Sequence, residues 1–433
     1  MQGNAFKAYL YFIIILLFFL VSCAKQHFTA KGKVKKALHA WVENPAFVSA
    51  NIGIQIEEIE TGKLFISYQA CKNFIPASNI KILTTYAALA SENDSILTAV
   101  TSSDSNGHVF LIPYGDPTFL HSNFPDQKLF QYLNGFDTIH ILENNTISKY
   151  SPGWAWEDYD KGFMPELNVF PIYGNNITLL KKDDKTNINP PYFTDSIIDH
   201  SFPFRRWFDK NMFVPNKIKN GVSVTVPFIP KKETMAALLM DTLKQTNVVW
   251  ENEYSDHLGW KKIYSHPVDS VLKLMMYKSD NFLAEQLLIN IALTNGVKVT
   301  PETSLEICFP KLQNSNYKTR WVDGSGLSRY NLCSPAYLVY ILKDQWKKIP
   351  HNRILSVFPF GGSKGFPDEF YYLGKHIFAK TGSMSNVFCL SGYLLTKKEK
   401  VLAFSVMVNG YTGDTSLLKQ EMAKVLTTLH KKY

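Results

Sequence analysis

The rhythm of apolar and polar positions changes twice along the chain. Residues 50–60 alternate, with Ile52, Ile54 and Ile56 on one face. Residues 63–68 follow the Thr61-Gly62 turn, so the pair predicts a β-hairpin. Residues 83–90, rich in alanine, predict a helix. From 95 to 262 the apolar runs are short, at 96–100, His108–Pro113, Thr138–Leu142 and 222–226. They read as strands, separated by turn clusters such as Asp104-Ser105-Asn106-Gly107 and Asn144-Asn145. Residues 181–189 are polar and predict an exposed loop, whereas 235–246 predict a helix. Helical spacing returns at 268–276 and 282–294, and again at 336–346, where Ser334-Pro335 opens the run. Glycines 361, 362 and 365 mark a loop. Strands are predicted at 376–380, 387–396 and Val401–Asn409, and a closing helix at 416–431.

The elements on either side of the strand-rich middle come from opposite ends of the chain. They predict one α/β (α+β) domain made of residues 37–94 and 263–433, with 95–262 inserted as one or two nested domains. Its sheet is expected to be mostly antiparallel, because the last two strands form a hairpin on which the final helix packs. The 433 residues are 45% hydrophobic, 19% charged and 14% aromatic, which excludes a disordered chain and suits two or three domains.

The first 22 residues read as a signal. Lys7 precedes an apolar run of 15 residues, 8–22, too short to span a membrane comfortably. The run ends in Leu20-Val21-Ser22-Cys23, which resembles the lipobox of bacterial lipoproteins and would make Cys23 the acylated residue of an envelope protein. An ordinary signal peptide or an anchor helix with an incidental cysteine is the alternative. Lys25, Lys31, Lys33, Lys35 and Lys36 make residues 23–36 a basic tether near an anionic membrane surface. The net charge of +9 fits that role better than nucleic-acid binding, since an exported chain rarely meets nucleic acid. Cys71, Cys308, Cys333 and Cys389 form no Cys-x-x-Cys pair, and there is no His-Glu-x-x-His. No metal site and no cofactor are therefore expected.

Candidate chemistry begins at Ser78 and Lys81, three residues apart where a helix starts. Serine favours that position as a cap, and the spacing puts both side chains on one face. A serine hydroxyl becomes a good nucleophile when a neutral amine takes its proton. The spacing recurs at Ser270/Lys273, Ser315/Lys318 and Ser416/Lys419, so it decides nothing alone. Two further motifs follow in order: Ser279-Asp280-Asn281 between helical runs, and Lys380-Thr381-Gly382-Ser383 at the end of a strand. This trio is the signature of penicillin-binding proteins and serine β-lactamases. In it Ser78 attacks a carbonyl, Lys81 accepts the proton, and Ser279 relays a proton to the leaving amine. Asn281 can hold a substrate amide. Lys380 supplies positive charge for a C-terminal carboxylate, with Thr381 and Ser383 adding hydroxyl donors. The N–H groups of Ser78 and Ser383 would form an oxyanion hole, each donor worth about 3–4 kcal/mol of barrier.

With these motifs the chain resembles the D-alanyl-D-alanine carboxypeptidases/endopeptidases of the penicillin-binding-protein 4 type, peptidase family S13. Gly115-Asp116-Pro117-Thr118, Pro152-Gly153-Trp154-Ala155-Trp156, Asp323-Gly324-Ser325-Gly326-Leu327-Ser328-Arg329 and Ala379-Lys380-Thr381-Gly382 are similar to family stretches, and the long insertion after Lys81 is its hallmark. The resemblance implies a penicillin-binding-protein/serine β-lactamase-like transpeptidase domain. It also implies peptidoglycan stem peptides as substrate and β-lactams as covalent inhibitors. By the same resemblance Arg329 would contact the side-chain carboxylate of diaminopimelate and Glu143 its amine. Locally, Arg329 could equally be a surface salt-bridge residue and Glu143 a turn residue. Asp323 is expected to shape its glycine loop. Tyr330, Ser383 and the loop 361–365 depart from the family pattern.

Two other readings stay open. A class A β-lactamase needs a Glu-x-x-x-Asn setting for its deacylating water. None of Glu285, Glu302, Glu306 and Glu369 has it. A catalytically inactive envelope-binding homologue would keep the fold and never label at Ser78.

Overall fold

A computed structural model describes residues 27–28, 32–300 and 317–433, with 303 and 307 between them and without 92, 144–146, 184, 199–201, 216–217, 245 and 252–258. The predicted signal, Cys23, the Asn144-Asn145 turn and Cys308 lie outside the described residues.

The N-terminal side supplies β1 (His27–Phe28), α1 (Lys33–Val42), β2 (Asn51–Glu58), β3 (Leu64–Tyr68) and α2 (Lys81–Ala90). The middle contributes β4 (Ser95–Ser103), β5 (His108–Pro113), α3 (Lys128–Leu133), β6 (Thr138–Leu142), β7 (Asn176–Lys182), β8 (Lys185–Asn189), β9 (Ser223–Pro227), α4 (Lys232–Leu243), β10 (Asn247–Glu251) and β11 (Lys261–Pro267). The chain returns through α5 (Val268–Lys278), α6 (Asn281–Thr294), α7 (Pro335–Lys348), α8 (His351–Val357), β12 (Ile377–Met384), β13 (Val387–Leu395), β14 (Val401–Asn409) and α9 (Thr415–Lys432). Among the described residues no helix is long and apolar enough to cross a membrane.

The two ends of the chain share one six-stranded sheet, ordered β1-β3-β2-β14-β13-β12, with every neighbouring pair antiparallel. β13 is covered on both faces, which is why it reads as a nearly continuous apolar run. Alternate side chains serve opposite layers. Phe388, Leu390 and Leu394 join the core with α1 and α9, and Cys389 and Tyr393 join the one built by α2 and α5 to α8. Burial pushes the Cys389 thiol up to about 12 and that of Cys333 well above the usual thiol range, so both are inert at neutral pH.

The tether expected to run to residue 36 ends earlier. Val34, Leu38 and Trp41 fall on one helical face and are fully buried, and α1 packs against α9. Lys33, Lys35 and Lys36 occupy its exposed face.

The inserted region holds a five-stranded sheet, β10-β6-β5-β4-β11, and a three-stranded one, β8-β7-β9. β6 runs parallel to both β5 and β10. The boundary expected at 262 falls inside β11, which pairs with β4 and so belongs to this sheet. The polar segment expected as a loop contains β8, an edge strand on which Ile188 points inward while its neighbours face solvent. Both sheets share one apolar core, in which Ile139 and Ile141 meet Ile177, Leu179 and Phe228.

Candidate active site

The nucleophile turn is made by a short 3-10 helix, Ala77–Ile80, immediately before α2. Ala77 has φ of 48°, an unusual conformation for a residue with a side chain, and the turn lifts Ser78 to a half-exposed position. Ser78 is therefore not a helix cap. Its hydroxyl oxygen accepts a 3.1 Å hydrogen bond from Lys81 Nζ.

Lys81 opens α2 and is fully buried. Its Nζ also donates to Asn281 Oδ1 at 2.7 Å and to the Ser325 carbonyl at 2.6 Å. Burial pushes its pKa down to about 8, while Asp323, Glu285 and Asp280 pull it back up. The site thus holds, beside a serine hydroxyl, an amine whose proton is held far less tightly than an ordinary lysine's, as base-assisted attack requires.

The Ser-Asp-Asn segment joins α5 to α6. Ser279 ends α5 in a left-handed conformation, and the Asp280 carboxylate caps α6 by accepting from the Leu283 N–H at 2.9 Å. Asn281, the first residue of α6, donates from Nδ2 to the Phe163 carbonyl at 3.0 Å. Its amide oxygen thus meets Lys81 and its amide nitrogen meets Phe163, which leaves a second N–H and a second lone pair for a substrate amide.

The Lys-Thr-Gly segment lies on β12. Lys380 is buried, and its Nζ donates to the Thr381 carbonyl at 2.9 Å. Burial, and then the charge of Lys81, push its pKa well below the usual lysine range. A Cβ on Gly382 would stand 2.5 Å from the Pro76 carbonyl oxygen, and one on Gly326, whose φ is 80°, would overlap the Ala77 carbonyl. The two missing side chains let both segments press directly onto the nucleophile turn.

As expected, Asp323 shapes its loop. It accepts from the N–H groups of Gly326 and Ser328, from Asn331 Nδ2 and from Trp154 Nε1 at 2.6–2.9 Å. Ser328 Oγ donates to the Pro152 carbonyl, which ties the Trp154 segment to the same loop.

Ser78, Ser279, Asn281, Arg329 and Ser383 line one cavity of about 390 Å³. Thr381 and Gly382 precede Ser383 on β12. Arg329 is exposed and donates to the Ser385 carbonyl at 3.2 Å. Glu143 does not join them. It lines a separate cleft, where Trp250 Nε1 donates to its carboxylate at 2.9 Å and Lys232 lies 3.3 Å away. The acidic wall of the Ser78 cavity is Asp158, with Phe163 nearby in the same wall. Burial, and then Glu157, push the Asp158 carboxyl up against the opposing pull of Lys161. Sequence reasoning passed over both residues, although Glu157-Asp158 directly follows the Trp154-Ala155-Trp156 stretch. Among the described residues no cluster of three or more His, Cys, Asp or Glu side chains could hold a metal ion.

A buried lysine bonded to a serine hydroxyl, beside a Lys-Thr-Gly strand in a helix–sheet–helix domain, is the arrangement that acyl transfer through an active serine calls for. The sequence profile of the D-Ala-D-Ala carboxypeptidase 3 (S13) family matches residues 34–196 and 220–431, and the chain belongs to that family. It is 33% identical over 427 aligned positions to the D-alanyl-D-alanine carboxypeptidase DacB of Haemophilus influenzae, covering 84% of this chain and 87% of the relative. The fold is that of penicillin binding protein 4 from the same organism, with a TM-score of 0.73, 21% identity, and 93% and 100% of the two chains covered. It is also shared with a penicillin G-acylated predatory endopeptidase of Bdellovibrio bacteriovorus, with a TM-score of 0.51, 14% identity, and 89% and 95% covered.

Proposed function

We propose that this chain is a serine D-Ala-D-Ala peptidase that cleaves peptidoglycan stem peptides through an acyl-enzyme on Ser78, and that penicillins trap the same serine. The observation that carries this reading is the 3.1 Å approach of Lys81 Nζ to Ser78 Oγ, with burial lowering the proton affinity of the amine. In its neutral form Lys81 takes the Ser78 proton as Oγ attacks the carbonyl of the penultimate D-Ala. The N–H groups of Ser78 and Ser383 receive the developing oxyanion. Ser279 passes the proton from Lys81 to the departing D-Ala nitrogen, the C–N bond breaks, and the acyl group stays on Ser78. Water then attacks the ester and restores the serine. An arriving C-terminal carboxylate raises the proton affinity of Lys380, so the cation forms when the substrate needs it.

Asp158 and Arg329 place opposite charges in the cavity wall. They suit a stem-peptide side chain that ends in both an ammonium and a carboxylate, as diaminopimelate does. Asp158 takes the acidic role that the family resemblance implies for Glu143. We infer further that the enzyme works in the bacterial envelope and that Cys23 carries a lipid, in keeping with the apolar run and the lysines that follow it.

The test is mass spectrometry of the mature protein after incubation with penicillin and with a D-Ala-D-Ala pentapeptide. A stable adduct on the Ser78 peptide, release of D-Ala and a lipid mass on Cys23 are expected. Rapid penicillin turnover without a lasting adduct would make the chain a β-lactamase, and no adduct at all would end the enzyme reading.

A further inference from the structure

Glu285 has no place in the reaction so far, yet it is buried one helical turn after Asn281 on α6. Its two carboxylate oxygens accept from the backbone N–H groups of Gly324 at 3.0 Å and Ser325 at 2.8 Å. Those amides belong to the loop whose Ser325 carbonyl accepts from Lys81 Nζ at 2.6 Å. The next carbonyl back, of Gly324, accepts from Thr84 Oγ1 of α2 at 2.6 Å. The same loop touches the nucleophile turn, since Gly326 has room for no Cβ against the Ala77 carbonyl. One helix therefore presents two holds on the catalytic amine. Asn281 reaches it directly, and Glu285 reaches it through the Ser325 peptide.

We infer that Glu285 is a positioning residue for Ser78 acylation: as a carboxylate it clamps the Gly324-Ser325 amides so that the Ser325 carbonyl fixes Lys81 against Ser78, and its charge sets the pH at which Lys81 becomes a base. The clamp requires the carboxylate form, because both oxygens face backbone donors. Burial, and then Asp323, push Glu285 up to about 8, while the Ser325 side chain and then the two backbone N–H bonds pull it down. The charged groups that bear on Lys81 are Asp323 in the loop, Glu285 on α6 and Asp280 before α6, and all three hold its proton on. Lys380 on β12 holds its own proton weakly and feels the charge of Lys81.

The inference rests on the Ser78 chemistry proposed above, and one experiment separates the two. Acylation of the full chain by a fluorescent penicillin is timed across pH, with the acylation rate resolved from the affinity of the initial complex. A wild-type protein that never labels refutes the Ser78 reading itself. If it labels, Glu285→Gln is expected to slow acylation by about a hundredfold with the initial affinity retained. Its rising pH limb should move to lower pH, because a negative charge near Lys81 is gone. Glu285→Asp, which keeps the charge and shortens the reach, should keep the wild-type limb and acylate about tenfold more slowly. A Glu285→Gln protein whose limb stays at the wild-type pH overturns the proposal whatever its rate. If that variant does not fold, Glu285→Asp acylating at the wild-type rate overturns it equally.

Discussion

The side-chain amide of Asn79 donates a 2.9 Å hydrogen bond to the carbonyl of Lys380, across 301 positions of sequence. Asn79 is fully buried one residue after the nucleophile, so this bond fastens the Ser78 turn to β12. Asn79→Ala leaves the Lys380 carbonyl without that donor. The loss should cost about 1–3 kcal/mol of stability. It should also slow penicillin acylation by about tenfold to a hundredfold, because the turn and the strand lose their register. Denaturant unfolding and the acylation rate of the folded protein measure the two effects separately.

The buried amine makes a prediction about pH. Acylation needs neutral Lys81, whose pKa burial has brought down to about 8. The rate should therefore fall at least about tenfold per pH unit below that value, more steeply where Glu285 also takes up a proton and its clamp is lost, and level off above it. Folded Lys81 binds its proton less tightly than unfolded lysine, so the destabilisation is complete below the folded pKa. It fades as pH rises from about 8 towards the ordinary lysine value of 10.5. Lys81→Arg keeps the charge but cannot act as a base, and should lose about 10²–10⁴-fold at every pH. An acylation rate that stays flat from about pH 6 to about pH 10 would remove Lys81 from the role of base.

Two of the three motifs were legible because each sits at a helix start that local chemistry marks, whereas Lys380-Thr381-Gly382 lies inside β12 and was legible only as a tripeptide. Asp280 announces the start of α6, and Ser334 followed by Pro335 announces α7. The paired strands β13 and β14 were legible because burial on both faces leaves almost no polar position. Contacts between distant segments were not legible. Nothing local tells that Glu285 reaches Gly324 and Ser325, or that Glu143 turns towards Trp250 and Lys232. The three lysines of α1 masked the spacing of Val34, Leu38 and Trp41, so the first turn of a docked helix read as the end of a tether. The polarity of β8 reflects its place at a sheet edge, where only Ile188 has a core to face.

That helix can be tested directly. Trp41 is fully buried between α1 and the sheet core it shares with α9. Trp41→Ala should destabilise the protein by about 3–5 kcal/mol, the usual cost of emptying a large aromatic site. The folded fraction should still label with penicillin, because no wall of the Ser78 cavity comes from α1. A variant as stable as wild type in denaturant unfolding would return residues 32–36 to the tether.

The sharpest test of specificity sets Asp158 against Glu143. Both are acidic and both belong to the inserted region, but only Asp158 shares a cavity with Ser78 and Arg329. The Glu143 carboxylate already has Trp250 and Lys232 as partners in another cleft. For a stem peptide whose side chain ends in an ammonium and a carboxylate, Asp158→Asn removes the partner of the ammonium. Arg329→Ala removes the partner of the carboxylate. Each should lower kcat/KM by about five- to tenfold, the modest effect of an ion pair that water still reaches. Glu143→Gln should leave kcat/KM unchanged. A peptide carrying lysine at that position has no distal carboxylate, so it should feel Asp158→Asn and ignore Arg329→Ala. Penicillin has no such side chain, and its acylation rate should be the same in all three variants. If Glu143→Gln weakens turnover of the zwitterionic peptide while Asp158→Asn does not, the acidic contact belongs to Glu143 and the inserted region must close over the cavity during catalysis.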